Sequence, residues 1–269
     1  MGPAFEIEQQ AAPMMILQTK GLTKRYGELT IVDRVDLNVT AGTRHAIIRA
    51  NGAGKSSLFH LITGRLNPTS GNVLFNGEDI TGRSAHKVVK CGLSRSFQIT
   101  NIFVELTARE NLRLAFQAAY AYTSIWSGLK IMRASAEKAQ ALIESLRLHS
   151  VADQIAGTLS YGDQRRLEIG LALAAEPKLL LLDEPMAGMS QSAANEMLAL
   201  LRAIPRSITL LLIEHDLDMV LKLSDHITVL HRGQVLAEGG PAEIQNDSRV
   251  QEAYLGKPIA PENLSALHA

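Results

Sequence analysis

One short turn between a strand and a helix limits this chain more than any other stretch. Arg49-Ala50-Asn51-Gly52-Ala53-Gly54-Lys55-Ser56-Ser57 follows a strand-like run, His45-Ala46-Ile47-Ile48, and opens a helix-like run, Leu58-Phe59-His60-Leu61-Ile62-Thr63. Strand, small-residue turn and helix start is the context that a phosphate-binding loop requires. Small residues let backbone N–H groups turn inward around phosphate oxygens, and the helix N-terminus adds the positive end of its dipole. Lys55 then reaches the β- and γ-phosphates, while the hydroxyl of Ser56 sits on Mg²⁺. The first position departs from the full pattern: it is Arg49 where a glycine is usual. A plain strand-to-helix turn is the competing reading of this stretch taken alone.

Composition decides what kind of protein surrounds that turn. Lys+Arg and Asp+Glu both total 27 in 269 residues, so no net basicity points to nucleic acid or an anionic membrane surface. A hydrophobic share of 46 % supplies ample core. The single cysteine, Cys91, excludes an internal disulfide and suits a reducing compartment. No apolar run reaches the 18 or so residues of a membrane span. Residues 1–13 lack a basic segment followed by an apolar one and read as a loose tail, as do residues 258–269. The expectation is a cytosolic chain, or one held at a membrane only through partners.

Along the chain, Met15–Gln18 and Ile31–Val39 have the alternation of strands near an edge, with Lys24-Arg25-Tyr26-Gly27 read as a turn between them. Asn72-Val73-Leu74-Phe75 with Asn76-Gly77 reads as a strand and hairpin turn. From about Gly92 to Thr158 the character is helical, with periodicity at Asn111–Ala121 and Ser135–Leu148. Lys178–Leu182, Ser207–Ile213 and His226–Leu230 are short apolar runs; the first two read as buried parallel strands, because their apolar stretches are continuous and helices follow. The predicted fold class is α/β: a P-loop nucleotide-binding domain over residues 14–257, with a mixed sheet core and an antiparallel β edge. A helical subdomain at about 99–175 is inserted in it.

Two further stretches carry chemistry. Leu179-Leu180-Leu181-Leu182-Asp183-Glu184-Pro185 is an apolar strand ending in two acids. Beside a phosphate loop, Asp183 can hold Mg²⁺, usually through water, and Glu184 can polarise the water that attacks a γ-phosphate. Standing alone, such a stretch is more often a strand capped by solvated acids. Leu159-Ser160-Tyr161-Gly162-Asp163-Gln164-Arg165-Arg166-Leu167 has Ser160 as a helix N-cap and Leu167, Leu171 and Ala174 down one face. A serine and a glycine at a helix start also suit a second phosphate site; by itself, a capped helix is the blander and better reading.

At this point the residues carry a resemblance. Ser160 to Gln164 resembles the signature loop of ABC-type ATPases, and the other parts stand in that family's order. Tyr26 resembles the aromatic that stacks on adenine, Arg49–Ser57 the phosphate loop, Gln98 the glutamine loop and Asp183-Glu184 the acidic strand. Ala187-Gly188-Met189-Ser190 resembles the loop facing a partner subunit, and His215 the switch histidine. Within the family the chain looks most similar to the ATP-binding subunits of branched-chain amino acid importers. Arg95-Ser96-Phe97-Gln98, Glu184-Pro185-Met186-Ala187-Gly188, Ile213-Glu214-His215-Asp216 and the tail from Asn246 to Gly256 carry that likeness.

The resemblance implies ATP and Mg²⁺ as ligands and a head-to-tail pair of cassettes, the second identical or paralogous. Each ATP would lie between the phosphate loop of one chain and Ser160, Gly162 and Asp163 of the other. It implies Glu184, His215, Lys55 and Gln98 as catalytic residues and Ser56, Gln98 and Asp183 as metal-holding ones. Nucleotide contacts fall to Tyr26, Arg49, Ala50, Asn51, Gly52, Ala53, Gly54, Lys55, Ser56 and Ser57. Further partners are integral membrane permease subunits and, indirectly, a periplasmic solute-binding protein; nucleic acid is not among them. The implied place is the cytoplasmic face of the bacterial inner membrane. Ile99, Ile102 and Phe103 are candidates for contact with a membrane subunit, although core packing explains such residues at least as well, as it does Trp126.

Three departures stand out. At Arg49 a required positive φ would cost about 1–2 kcal/mol, whereas an ordinary strand-end backbone tolerates arginine. Asp163 replaces the usual glutamine of the signature, which repels phosphate unless it points away or pairs with Arg165 or Arg166. Ser190 replaces an aspartate often found in the partner-facing loop. Two rival readings follow: a weakly hydrolysing regulatory half of an asymmetric pair, and a lipopolysaccharide-exporter-type ATPase. A soluble cassette ATPase of DNA repair or translation ranks last.

Overall fold

The computed structural model describes residues 14–49, 55–96, 102–120 and 128–255. In chain order the strands and helices begin with β1 (Met15–Tyr26), β2 (Leu29–Thr40), β3 (Arg44–Arg49), α1 (Lys55–Ile62), β4 (Ser70–Phe75) and β5 (Glu78–Asp79). Next come α2 (Ala85–Lys90), β6 (Leu93–Arg95), α3 (Ala108–Tyr120), α4 (Gly128–Ser145) and α5 (Tyr161–Leu173). The chain continues with β7 (Leu179–Asp183), α6 (Gln191–Ala203), β8 (Thr209–Glu214), α7 (Leu217–Leu223) and β9 (His226–His231). It ends with β10 (Gln234–Gly239), α8 (Pro241–Asn246) and α9 (Ser248–Leu255).

The strands form two sheets: β10-β9-β3-β8-β7-β6, parallel except for β10, and β2-β1-β4-β5, which is antiparallel. Every residue of β7 and β8 is buried, as their unbroken apolar runs demand. Their side chains alternate between two cores. Ile47, Leu179, Leu181, Leu211 and Ile213 pack with α1 and the antiparallel sheet. Ala46, Leu180, Leu182, Leu210 and Leu212 pack with the helices of the other face. The helix that opens at Lys55 is thus wedged between two sheets, with Leu58, Phe59, Leu61 and Ile62 all buried.

Three expectations need correction. The Gly92–Thr158 stretch is not helical from its start: Leu93–Arg95 is β6, paired in parallel with β7 at the sheet edge. Three residues are too few to show a period, and β6 forms because β7 offers a free edge. Lys24, Arg25 and Tyr26 belong to β1, and the turn is the shorter Gly27-Glu28, with Gly27 at φ +56°. The second helix of the insert begins at Gly128, seven residues before the periodicity at Ser135.

The helical half is packed without spare room. A Cβ on Gly170 of α5 would stand 2.4 Å from Leu146 Cδ1 and 2.9 Å from Leu112 Cδ2. Glycine is required there for close approach of three helical segments, not for its backbone freedom. On the far side of the parallel sheet lies a buried polar chain. His45 Nε2 is 2.7 Å from Thr228 Oγ1, and that hydroxyl donates to Glu238 Oε1 at 2.9 Å. The threonine proton is therefore committed, so His45 donates through Nε2 and is neutral or protonated there. Burial, then the neighbouring His226, holds the His45 pKa down at about 3, from 6.5.

Gly170→Ala is expected to lower stability by about 1–3 kcal/mol through overpacking, read as the shift of a urea-unfolding midpoint. His45 binds a proton in the unfolded chain below 6.5 but not in the folded chain until about 3. Its contribution to stability is complete above 6.5 and is lost as pH falls toward 3, at up to about 1.4 kcal/mol per pH unit. His45→Asn, which keeps a donor and cannot titrate, should flatten the stability–pH curve through that window.

Candidate nucleotide site

The parallel strands bring the acids of the sequence to one edge. In register, Ile48 stands beside Glu214, and Asp183 beside Ile213, so the carboxyl ends of β3, β8 and β7 lie level. Outside such carboxyl ends is where open α/β sheets bind ligands. Arg49 closes β3 in the ladder opposite Leu230, an extended position with no need of left-handed backbone. Ala50 to Gly54 lie outside the described residues, as does Gln98. Lys55 and Ser56 form the first turn of α1, with Ser57 partly buried behind them.

Asp183 is 2 % exposed, not a solvated cap. Its Oδ2 accepts from Arg95 Nη2 at 2.7 Å, while Oδ1 has no hydrogen-bond partner among the described residues. His60 of α1 faces the same pair, and its pKa is lowered by burial and by Arg95. Glu184, one residue on, has φ +46°, a left-handed conformation that costs a non-glycine residue about 1–2 kcal/mol. Its N–H is held by Ile213 O at 2.9 Å. The bend turns Glu184 out of the strand that buries Asp183, so the adjacent acids serve different directions. His215 follows β8 with its ring about half exposed. Tyr26 lies 51 % exposed at the end of β1, with the Lys24 ammonium 5.0 Å from its ring centroid.

The second cluster lies at the start of α5. Ser160 is the N-cap, accepting from Asp163 N at 3.2 Å and donating to Asp163 Oδ2 at 2.7 Å. Arg166 Nη1 stands 3.4 Å from Asp163 Oδ1 and also pairs with Glu196 of α6. The Asp163 charge is thereby matched within the chain, and Gly162 is left open, with nothing within 4 Å of where a Cβ would be. Tyr161 OH donates to Ala187 O at 3.2 Å, tying this helix start to the Ala187–Ser190 loop. Ser190 caps α6 by accepting from Ala193 N. A concavity lined by Ser160, Gly162, Asp163, Gly188 and Ser190 faces outward, and no described residue of the phosphate-loop cluster lines it.

Sequence reasoning passed over Arg95 and Glu214 as parts of the site; of the two partners it offered Asp163, the structure uses Arg166. Glu214 is 1 % exposed and accepts from Met186 N and His215 N, joining the segment after β7 to the segment after β8. Burial raises its pKa. A lone acid ending an apolar strand was the available signal for it; Arg95 gave none, because its partner lies 88 residues away. Of the contact candidates, Ile102 is buried and Phe103 is 59 % exposed; Ile99 and Trp126 lie outside the described residues.

Comparison with known proteins agrees with this geometry. A profile described as "ABC transporter" matches residues 32–187, and one described as "Branched-chain amino acid ATP-binding cassette transporter" matches residues 234–260. The chain belongs to the ABC transporter family, as an ATP-hydrolysing cassette. Among its relatives, the high-affinity branched-chain amino acid transport ATP-binding protein BraF of Pseudomonas aeruginosa is 39 % identical, covering 90 % of this chain and 98 % of that one. LivG of Escherichia coli, of the same description, is 36 % identical with the same coverage. The crystal structure of a nucleotide-free ATP-binding cassette from an ABC transporter superposes with a TM-score of 0.77 at 35 % identity, covering 91 % of this chain and all of that one.

Ser160→Ala removes the cap of α5 and should lower stability by about 1 kcal/mol, whereas Ser160→Thr should hold it near the parent. Chemical unfolding of the three chains reads the difference.

Proposed function

We propose that this chain is the ATP-hydrolysing subunit of an importer of branched-chain amino acids or related small polar solutes, at the cytoplasmic face of an inner membrane. The observation that carries the catalytic part is the pair of acids at the end of β7. Asp183 is buried with Oδ1 unpartnered, and Glu184 is turned out of the strand by its left-handed backbone. The solute class rests on the relatives BraF and LivG.

In this reading the backbone N–H groups after β3 and the α1 N-terminus receive the β- and γ-phosphates, with Lys55 on their oxygens and Tyr26 against the adenine. The donor set fits magnesium: a hydroxyl at Ser56, a side-chain amide at Gln98, and a buried carboxylate oxygen without a partner at Asp183. Mg²⁺, when bound, would neutralise negative charge on the phosphates. Glu184 orients the attacking water and takes its proton, and His215 donates to the γ-phosphate. Both are positioned by Glu214, whose buried carboxylate holds backbone N–H groups on either side.

The outward-facing cluster at Ser160, Gly162 and Asp163 suits the γ-phosphate of a second cassette, identical or paralogous, in a head-to-tail pair. Asp163 is neutralised by Arg166, and Arg49 keeps a strand backbone, so neither departure argues for a silent subunit. A groove of about 250 Å³ between α2 and α5, with Val88, Val89, Leu93, Leu171 and Ala172 on its walls, is the place for a helix of a membrane permease. Exposed Phe103 suits the same partner. A periplasmic solute-binding protein would act through that permease.

Glu184→Gln should lower Mg²⁺-dependent ATP turnover by about 100-fold or more while leaving ATP affinity within about twofold. Turnover at the parent's rate would sink the assignment.

A further inference from the structure

Arg95 ends β6 with 8 % of its surface exposed. Nη2 donates to Asp183 Oδ2 at 2.7 Å, and the guanidinium carbon lies 5.5 Å from the ring centroid of Phe59 in α1. Nε and Nη1 have no acceptor among the described residues. The backbone is fixed as well: Arg95 pairs in register with Leu181, and Ser96 N donates to Leu181 O at 2.9 Å. A buried arginine with two N–H-bearing atoms unsatisfied is a poor device for stability, since an apolar residue of similar volume serves a core as well or better. The pair therefore needs a reason other than packing.

That reason lies in what the contact does to the carboxylate. One oxygen of Asp183 is pinned by a charge-assisted hydrogen bond from a planar group that is itself held against an aromatic ring. The carboxylate cannot rotate without breaking it, so the unpartnered Oδ1 keeps one direction. Magnesium demands near-ideal octahedral geometry, and losing a group that orients a metal ligand typically costs about 10–100-fold in metal affinity. We propose that Arg95 is the positioning residue of the magnesium site, fixing Asp183 through Oδ2 so that Oδ1 meets the ion's water shell. This inference rests on the nucleotide reading above and adds a residue to it. Arg95 also lines the groove assigned to the permease helix, which places the orienting group of the metal site within reach of that partner.

The test measures binding of a fluorescent ATP analogue to the full chain, in EDTA and across a Mg²⁺ titration, for the parent, Arg95→Met and Arg95→Lys. Unfolding midpoints are recorded beside them. The expected result is an unchanged affinity in EDTA for Arg95→Met, with the Mg²⁺ concentration for half-maximal strengthening of binding raised about tenfold or more. Arg95→Lys keeps the charge without the planar fork and should fall between, at about threefold. Arg95→Lys decides alone if the methionine chain does not fold. A Mg²⁺ dependence equal to the parent's overturns the proposal. So does a lower half-saturating concentration, which would make the guanidinium a competitor of the ion. A parent chain that binds the analogue with no response to Mg²⁺ also overturns it. Failure of the parent to bind the analogue in either buffer would instead overturn the nucleotide reading itself.

Discussion

The ladder of β3, β8 and β7 is the constraint on which the rest depends. Parallel strands buried on both faces must be covered on both faces, because their side chains alternate between two apolar cores. One cover is the antiparallel sheet with α1; the other is the set of helices that includes α6 and α7. Once those covers are in place, polar groups gather at the strand ends, and the acids of β7 and β8 stand at the carboxyl ends. Asp183 and Glu214 stand level there because β3, β8 and β7 pair in register.

Burial then sets the chemistry of each acid separately. Asp183 is enclosed with one oxygen held by Arg95, whereas Glu214 is enclosed among backbone N–H donors with its pKa raised by burial. Glu184 is neither: the left-handed turn carries it past the end of the ladder. Three carboxylates within one edge thus have three environments, set by burial and by backbone direction.

Besides a shared apolar core, directed contacts around α5 join the helical half to the sheet half. Tyr161 donates to Ala187 O, and Arg166 reaches from Asp163 to Glu196 on α6. The close fit at Gly170 packs α5 against Leu112 of α3 and Leu146 after α4.

Much of this was legible in the sequence. The helix that opens at Lys55, the continuous apolar runs of β7 and β8, and Ser160 at a helix start are local patterns, and local patterns fix local structure. The family likeness rested on the order of those patterns. The sequence left open whether Arg49 needed strained backbone and what Asp163 would face; extended pairing with Leu230 and the contact with Arg166 answered both. It misread Leu93–Arg95 as helical, because an edge strand that short exists only by virtue of its neighbour. The Arg95–Asp183 pair spans 88 residues and carries no periodicity at either end. Which oxygen of a carboxylate is held and which is left free is decided by burial and by the direction of a distant donor, and only the packed chain supplies those.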